Sequence, residues 1–163
     1  MRKPQMGRWL PGVVICLGVM LWQSQAMAEI RWIQSVGQAQ QKWNNAGKPL
    51  LVYVTSEACI FCQKLDHATW MDPAVGNLVN QQFVKLKVDG QRNQAIAQQL
   101  SVKAFPAVIV LSADGRVLGR RDGFVGPTAM SAFLQTVTQS KARSEDYLPL
   151  ATARSHGGDD FAN

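Results

Sequence analysis

Cysteine is scarce in this sequence, and that scarcity bounds what the chain can be. Three cysteines occur in 163 residues, Cys16, Cys59 and Cys62. Three are too few for a disulfide-dense scaffold. Cys59 and Cys62 form one CxxC pair and no second pair follows, so a zinc site, which usually wants four ligands, would be half built. Histidine is equally sparse, with only His67 and His156. His67 reads as a surface or packing residue in preference to a ligand or base, and no metal site is expected. No block of basic residues interleaved with aromatics is present, which gives nucleic acid no footing. Lys85, Lys87, Arg120 and Arg121 read instead as solvated faces of strands. The sequence shows no internal repeat, no nucleotide-binding fingerprint and no recognisable cofactor site. No apolar run reaches the ~20 residues needed to span a bilayer.

The longest apolar run stands at the start. Arg2, Lys3 and Arg8 precede "LPGVVICLGVMLW", and Ala26 and Ala28 place small residues at the −3 and −1 positions of a cleavage site. Residues 1–28 are therefore read as a secretory signal peptide; an uncleaved anchor is the competing reading, disfavoured by the short run. Cys16 lies in that leader, behind bulky Val13, Val14 and Ile15 where a lipidation site has small residues, and is read as removed with it. Without the leader's three basic residues the net charge falls from +6 to +3. A mature chain of about 135 residues, 163 less the leader's 28, is enough for one domain with its own core. Export to an oxidising compartment leaves Cys59 and Cys62 as a redox-capable pair.

Periodicity supplies the elements. Ile33, Val36, Gln40 and Trp43 mark one face of a helix that "NNAGKP" ends. "LLVYV" at 50–54 is apolar on both faces, as a central strand covered on two sides is. A helix is expected from Cys62 to about Met71, and a second after it, with Asp72 as N-cap and Pro73 in the first turn. "FVKLKVD" at 83–89 alternates as a strand does; residues 92–100 read as a helix and "AVIVL" at 107–111 as a buried strand. "SADGR" is a hairpin signal, with "VLGRR" the returning strand. Met130, Phe133, Leu134 and Val137 then form the apolar face of a closing helix begun by Pro127. Helix, strand, helix, helix, strand, helix, strand, strand, helix implies an α/β mixed sheet of about four strands with helices on both faces. The domain is placed at residues 29–139. Residues 140–163, polar and without periodicity, read as a flexible tail whose one apolar island is "YLPL" at 147–150.

The pair itself admits three readings: a redox centre, half of a metal site, or a structural staple. A staple across so short a loop removes little chain entropy. At the start of a helix the first sulfur meets unpaired N–H groups and the positive end of the macrodipole, which favour its thiolate. Cys59 is then the attacking sulfur. Cys62, almost one turn on, resolves the mixed disulfide that Cys59 makes.

"LLVYVTSEACIFC", "FVKLKVD", "VKAFPAVIVLSADGRVLGRRDGF" and the closing helix resemble, in order and spacing, the thioredoxin fold over about residues 31–139. The run "CQKLDHATWMDPAVGNLVNQQFVKLKVD" is similar to exported, periplasmic thioredoxin-like proteins and to the C-terminal domain of thiol-disulfide interchange reductases. The resemblance implies that Pro106 is a cis-proline facing the CxxC, and that the backbone of Phe105 pairs with an extended substrate segment. It also matches Gly123 to a glycine that keeps a nearby loop close to the site; an ordinary turn glycine is the other reading. Two positions depart from the family. Ala58 stands where thioredoxins commonly have Trp, and Tyr53 stands where they commonly bury an Asp that assists the resolving thiol. Glu57, nearby in sequence, reads as a solvated loop carboxylate.

Between the cysteines, Ile60 and Phe61 bring no cation to stabilise a thiolate, which disfavours a strongly oxidising site, and Phe61 is the candidate contact for a protein substrate; packing on its own domain is the other reading. The resulting expectation is an enzyme: an exported thiol-disulfide oxidoreductase of a bacterial periplasm that reduces protein disulfides. Its electrons would come from a membrane donor. Within the same class the alternative is a thiol oxidase or a redox accessory of one pathway. From another class, the alternative is a peptide- or metal-binding module without turnover.

Overall fold

The computed structural model describes residues 29–154; the leader with Cys16 and the end of the chain with His156 lie outside the described residues. In order, the elements are α1 (Val36–Ala46), β1 (Leu50–Thr55), α2 (Ile60–Ala68), α3 (Pro73–Gln82), β2 (Val84–Asp89), α4 (Gln94–Gln99), β3 (Ala107–Leu111), β4 (Val117–Asp122) and α5 (Pro127–Arg154). The sheet order is β2-β1-β3-β4, with β1 parallel to β2 and antiparallel to β3, and β3 turning back into β4. The expected α/β class, a four-stranded mixed sheet with helices on both faces, is the observed one.

Burial explains why β1 and β3 are central. Leu50 through Val54 are all buried, as is every residue of β3. Because successive strand side chains point to opposite faces, they feed two separate cores. Leu51, Tyr53, Val108 and Val110 face α2, α3 and α5 through Leu65, Val75, Val79, Met130 and Leu134. Leu50, Val52, Val54 and Ile109 face α1 through Ala39 and Trp43, with Ile96 of α4 packed alongside. At each sheet end the chain is therefore free to leave into loops.

Local chemistry sets the boundaries. Asp72 caps α3, its Oδ1 accepting the N–H groups of Ala74 at 2.9 Å and Val75 at 3.0 Å, and Pro73 follows in the first turn as expected. The "SADGR" turn closes with the Gly115 N–H donating to the Ser112 carbonyl at 2.8 Å, and Gly115 takes a φ of 83°. Two boundaries differ from the sequence reading. Ile33 is extended, bridging to Leu86, with its N–H donating to the Lys85 carbonyl at 3.0 Å. Ser35 starts α1 by accepting from the Gln38 N–H. Ile33 mimics a helical position because it packs against the same apolar cluster as Val36. At the other end α5 stays helical to Arg154, past position 140 where the sequence reading begins its tail. Ala, Arg, Lys, Glu and Leu in that stretch have high intrinsic helix propensity, which needs no apolar periodicity. Side chains beyond position 140, those of "YLPL" included, lie outside the described set.

Candidate active site

At the carboxyl end of β1 the chain turns through Ser56, whose carbonyl accepts from the Cys59 N–H at 3.2 Å, and enters α2. Cys59 is the N-cap, extended at φ −93° and ψ 105°, and its Sγ accepts from the Cys62 N–H at 3.1 Å. A sulfur thus occupies the place usually taken by a Ser or Asp oxygen. Cys59 and Cys62 are joined in a disulfide with their Cα atoms 5.2 Å apart. The two sulfurs are not equivalent. Cys59 is half-buried, whereas Cys62 is only 1% exposed. Once the pair is reduced, solvent and partners reach Cys59, and the donor that already points at its sulfur favours a thiolate there.

The register of β1 with β3 pairs Val54 with Ala107, so Pro106 stands just before β3 at the same end of the sheet as the cysteines. The Phe105–Pro106 peptide bond is cis. Pro106 is buried, and its carbonyl accepts from the Gly123 N–H at 2.8 Å. Gly123 has a φ of 78°, the left-handed region that favours glycine, so the loop after β4 is tied to Pro106 at a position suited to no side chain. Phe105 packs into the α1 side of the core, and its ring lies so close to Gly90 that a Cβ there would overlap it. The sequence reading passed over Gly90. Ile60 and Phe61 project outward at 73% and 57% exposure, and Lys64 places its ammonium 4.4 Å from the Phe124 ring centroid.

Beneath the disulfide lies Tyr53, fully buried, whose hydroxyl donates to the Cys62 carbonyl at 3.3 Å. Its ring lies 5.6 Å from Trp32 and 5.5 Å from Trp70, which meet edge to face at 5.1 Å. Burial pushes the phenol well above its usual range, and the Asp66 charge adds to the shift. A neutral group therefore stands where the resemblance implies a buried carboxylate.

Lys87 corrects the sequence reading of a solvated strand face. Its register partner is Tyr53, and its ammonium lies 5.1 Å from that ring and 2.9 and 3.0 Å from the two Asp66 oxygens. Arg120 is also engaged, donating to the Leu100 and Ser101 carbonyls at 2.7 and 3.1 Å. Glu57 pairs with Arg92 at 2.5 Å, both 71% exposed, and His67 is exposed. Asp66, Trp32 and Trp70 were not singled out from sequence, and Lys87 was read only as part of a solvated strand face. Of these only Asp66 carried a local signal, four residues after Cys62 on a helix; Lys87 meets the site through strand register, Trp32 through the N-terminal segment, and Trp70 from the turn that ends α2. Among the described residues no three His, Cys, Asp or Glu side chains cluster to hold a metal ion, and no helix is long and apolar enough to cross a membrane.

A mixed sheet with a CxxC disulfide capping the helix after its central strand supports a thiol-disulfide oxidoreductase. A family model for the thioredoxin-like domain matches residues 36–138, and the chain belongs to that family. Among solved structures it is similar to a DsbH oxidoreductase, at 17% identity and a TM-score of 0.63 over 85% of this chain and 95% of that one. A thioredoxin from Thermus thermophilus matches at 22% identity and a TM-score of 0.60, over 82% and 99% of the two chains. A disulphide isomerase from Xylella fastidiosa Temecula1 matches at 22% identity and a TM-score of 0.53, over 63% and 88%. At these identities the likeness is one of fold. Comparison with curated proteins gives no match.

Proposed function

We propose that the protein is an exported, periplasmic reductase of protein disulfides. One observation carries the reading: a half-buried Cys59 at the N-terminus of α2, joined to a buried Cys62. The reduced Cys59 thiolate attacks a substrate disulfide; one substrate sulfur leaves with the electron pair of the broken bond, and the other stays on Cys59. Cys62 then displaces that second sulfur as a thiolate, closing the Cys59–Cys62 bond. The substrate gains two electrons and the enzyme loses them, to be restored by a membrane donor. Phe105, Pro106 and Gly123 form the wall against which an extended substrate segment lies, and exposed Ile60 and Phe61 form its apolar rim.

The reducing direction is supported by the intervening Ile60 and Phe61, which add no positive charge to stabilise the reduced form. Equilibration with glutathione, on protein recovered from the periplasmic fraction and beginning at Glu29, tests the reading. A potential between about −200 and −270 mV is expected, and one near the −120 mV of strong oxidants would contradict it.

A further inference from the structure

The loop that carries Phe105 and Pro106 joins α4 to β3, and both of its ends are fixed. At its start Arg120 donates to the Leu100 and Ser101 carbonyls at 2.7 and 3.1 Å. At its end the carbonyl of buried Pro106 accepts from the Gly123 N–H at 2.8 Å. Lys103 and Ala104 between them are exposed, so the middle of the loop is anchored inward by Val102 and by the ring of Phe105, both packed into the α1 side of the core. The backbone of Phe105 belongs to the wall on which a substrate segment would lie. Side chain and backbone of one residue move together, so the depth at which the ring seats sets where the Phe105 N–H and C=O stand.

The ring seats on Gly90, a buried residue in the turn after β2 whose N–H donates to the carbonyl of Thr55, the last residue of β1, at 2.8 Å. A Cβ at position 90 would stand 2.7 Å from Phe105 Cζ and 2.8 Å from Val54 Cγ1, and closer still to Phe105 Cε1. Those separations fall well inside the roughly 3.5–4.0 Å at which carbons meet favourably. Gly47, Gly115 and Gly123 have positive φ and Gly90 does not, so space, and not backbone conformation, excludes a side chain there. Val54 is held in a fully buried strand, paired with Ala107. The half-buried ring is therefore the group that yields, and it yields by lifting the loop or turning out of the core.

We infer, resting on the proposed disulfide exchange, that Gly90 is a positioning residue for protein substrates. Its missing side chain lets Phe105 seat against the turn after β2 and so holds the backbone beside Pro106 where an extended segment pairs with it. Through Thr55 the same residue is tied to the strand that leads into the CxxC turn, so one small residue links both halves of the site. Gly90 acts through Phe105. Substrates that pair along their backbone depend on it, whereas a small disulfide with no peptide segment does not.

The test compares insulin, a protein disulfide, with cystamine, a small one, in single turnovers of the reduced full chain at varied substrate concentration. Gly90→Ala should raise the insulin concentration that gives half the limiting rate roughly five- to tenfold, the net worth of one backbone hydrogen bond, and leave the limiting rate within about twofold. Its rate with cystamine should equal that of the wild type. Adding Phe105→Leu, which draws the ring edge away from the new methyl, should recover most of the insulin affinity. Phe105→Ala empties the seat while leaving Gly90 in place, and should weaken insulin in the same way even where Gly90→Ala fails to fold. Gly119→Ala is the control for packing damage alone, since its Cβ would meet Phe133 and Val137 of the other core at 2.7 Å, and it should leave half-saturation unchanged. Unchanged half-saturation in Gly90→Ala or Phe105→Ala, equal losses on insulin and cystamine, no recovery in the double variant, or the same rise from Gly119→Ala would overturn the proposal. A wild-type chain that reduces neither disulfide would instead overturn the function on which it rests.

Discussion

Tyr53 combines two interior roles: its ring completes an aromatic cluster with Trp32 and Trp70, and its hydroxyl holds the Cys62 carbonyl at the first turn of α2. Removing only the hydroxyl, in Tyr53→Phe, should cost about 1 kcal/mol in urea unfolding. Tyr53→Ala should cost about 3–5 kcal/mol, because it opens a cavity against β3 and α2. Ionisation gives the same residue a pH signature. Its phenol is raised in the folded state, so its contribution to stability is complete below the ordinary value of about 10 and is lost as pH rises beyond it. In a Tyr147→Phe background, ultraviolet titration should therefore show the Tyr53 phenolate appearing together with unfolding, and a separate step near pH 10 would contradict this burial. From sequence Tyr53 was legible as a departure from a family position. Its partners were not, since Lys87 meets it through the register of two strands 34 positions apart.

At the level of elements, the turn between β3 and β4 shows how a short polar stretch becomes a defined device. Ser112 and Arg116 both hydrogen-bond the Asp114 side chain, the first-named having the larger effect, and together they lower its carboxyl to about 2. A depressed carboxylate supports the turn above the ordinary value near 4 and gives up that support as pH falls toward 2. An NMR titration should place the Asp114 midpoint near 2, whereas a midpoint near 4 would mean that the two donors do not hold it. The turn was readable because Asp-Gly admits positive φ, and α3 was readable because Asp-Pro is a start signal; both rules act within four residues. Ile33 was read as helical because periodicity reports which face a residue packs on, and an extended residue that packs on that face leaves the same mark. The helix beyond 140 was missed because propensity without an apolar stripe resembles a tail.

Across the whole molecule, β1 links both faces and the site. Alternate residues of one buried strand anchor two cores, and its end delivers the chain to the N-terminus of α2. That logic was visible in "LLVYV" followed by CxxC, so the class of fold and the place of the disulfide pair in it were both legible. The surroundings of Cys62 were not, because Asp66, Lys87 and Tyr53 come together from a helix and two strands only after the sheet has formed. The asymmetry that results, one reachable sulfur and one buried, is the central claim of the account. Incubating Cys62→Ser and Cys59→Ser with a disulfide-bearing protein, and recovering covalent complexes by non-reducing electrophoresis and mass spectrometry, tests it most directly. Cys62→Ser should accumulate mixed disulfides through Cys59 while Cys59→Ser accumulates none; complexes formed through Cys62, or on neither variant, would contradict it.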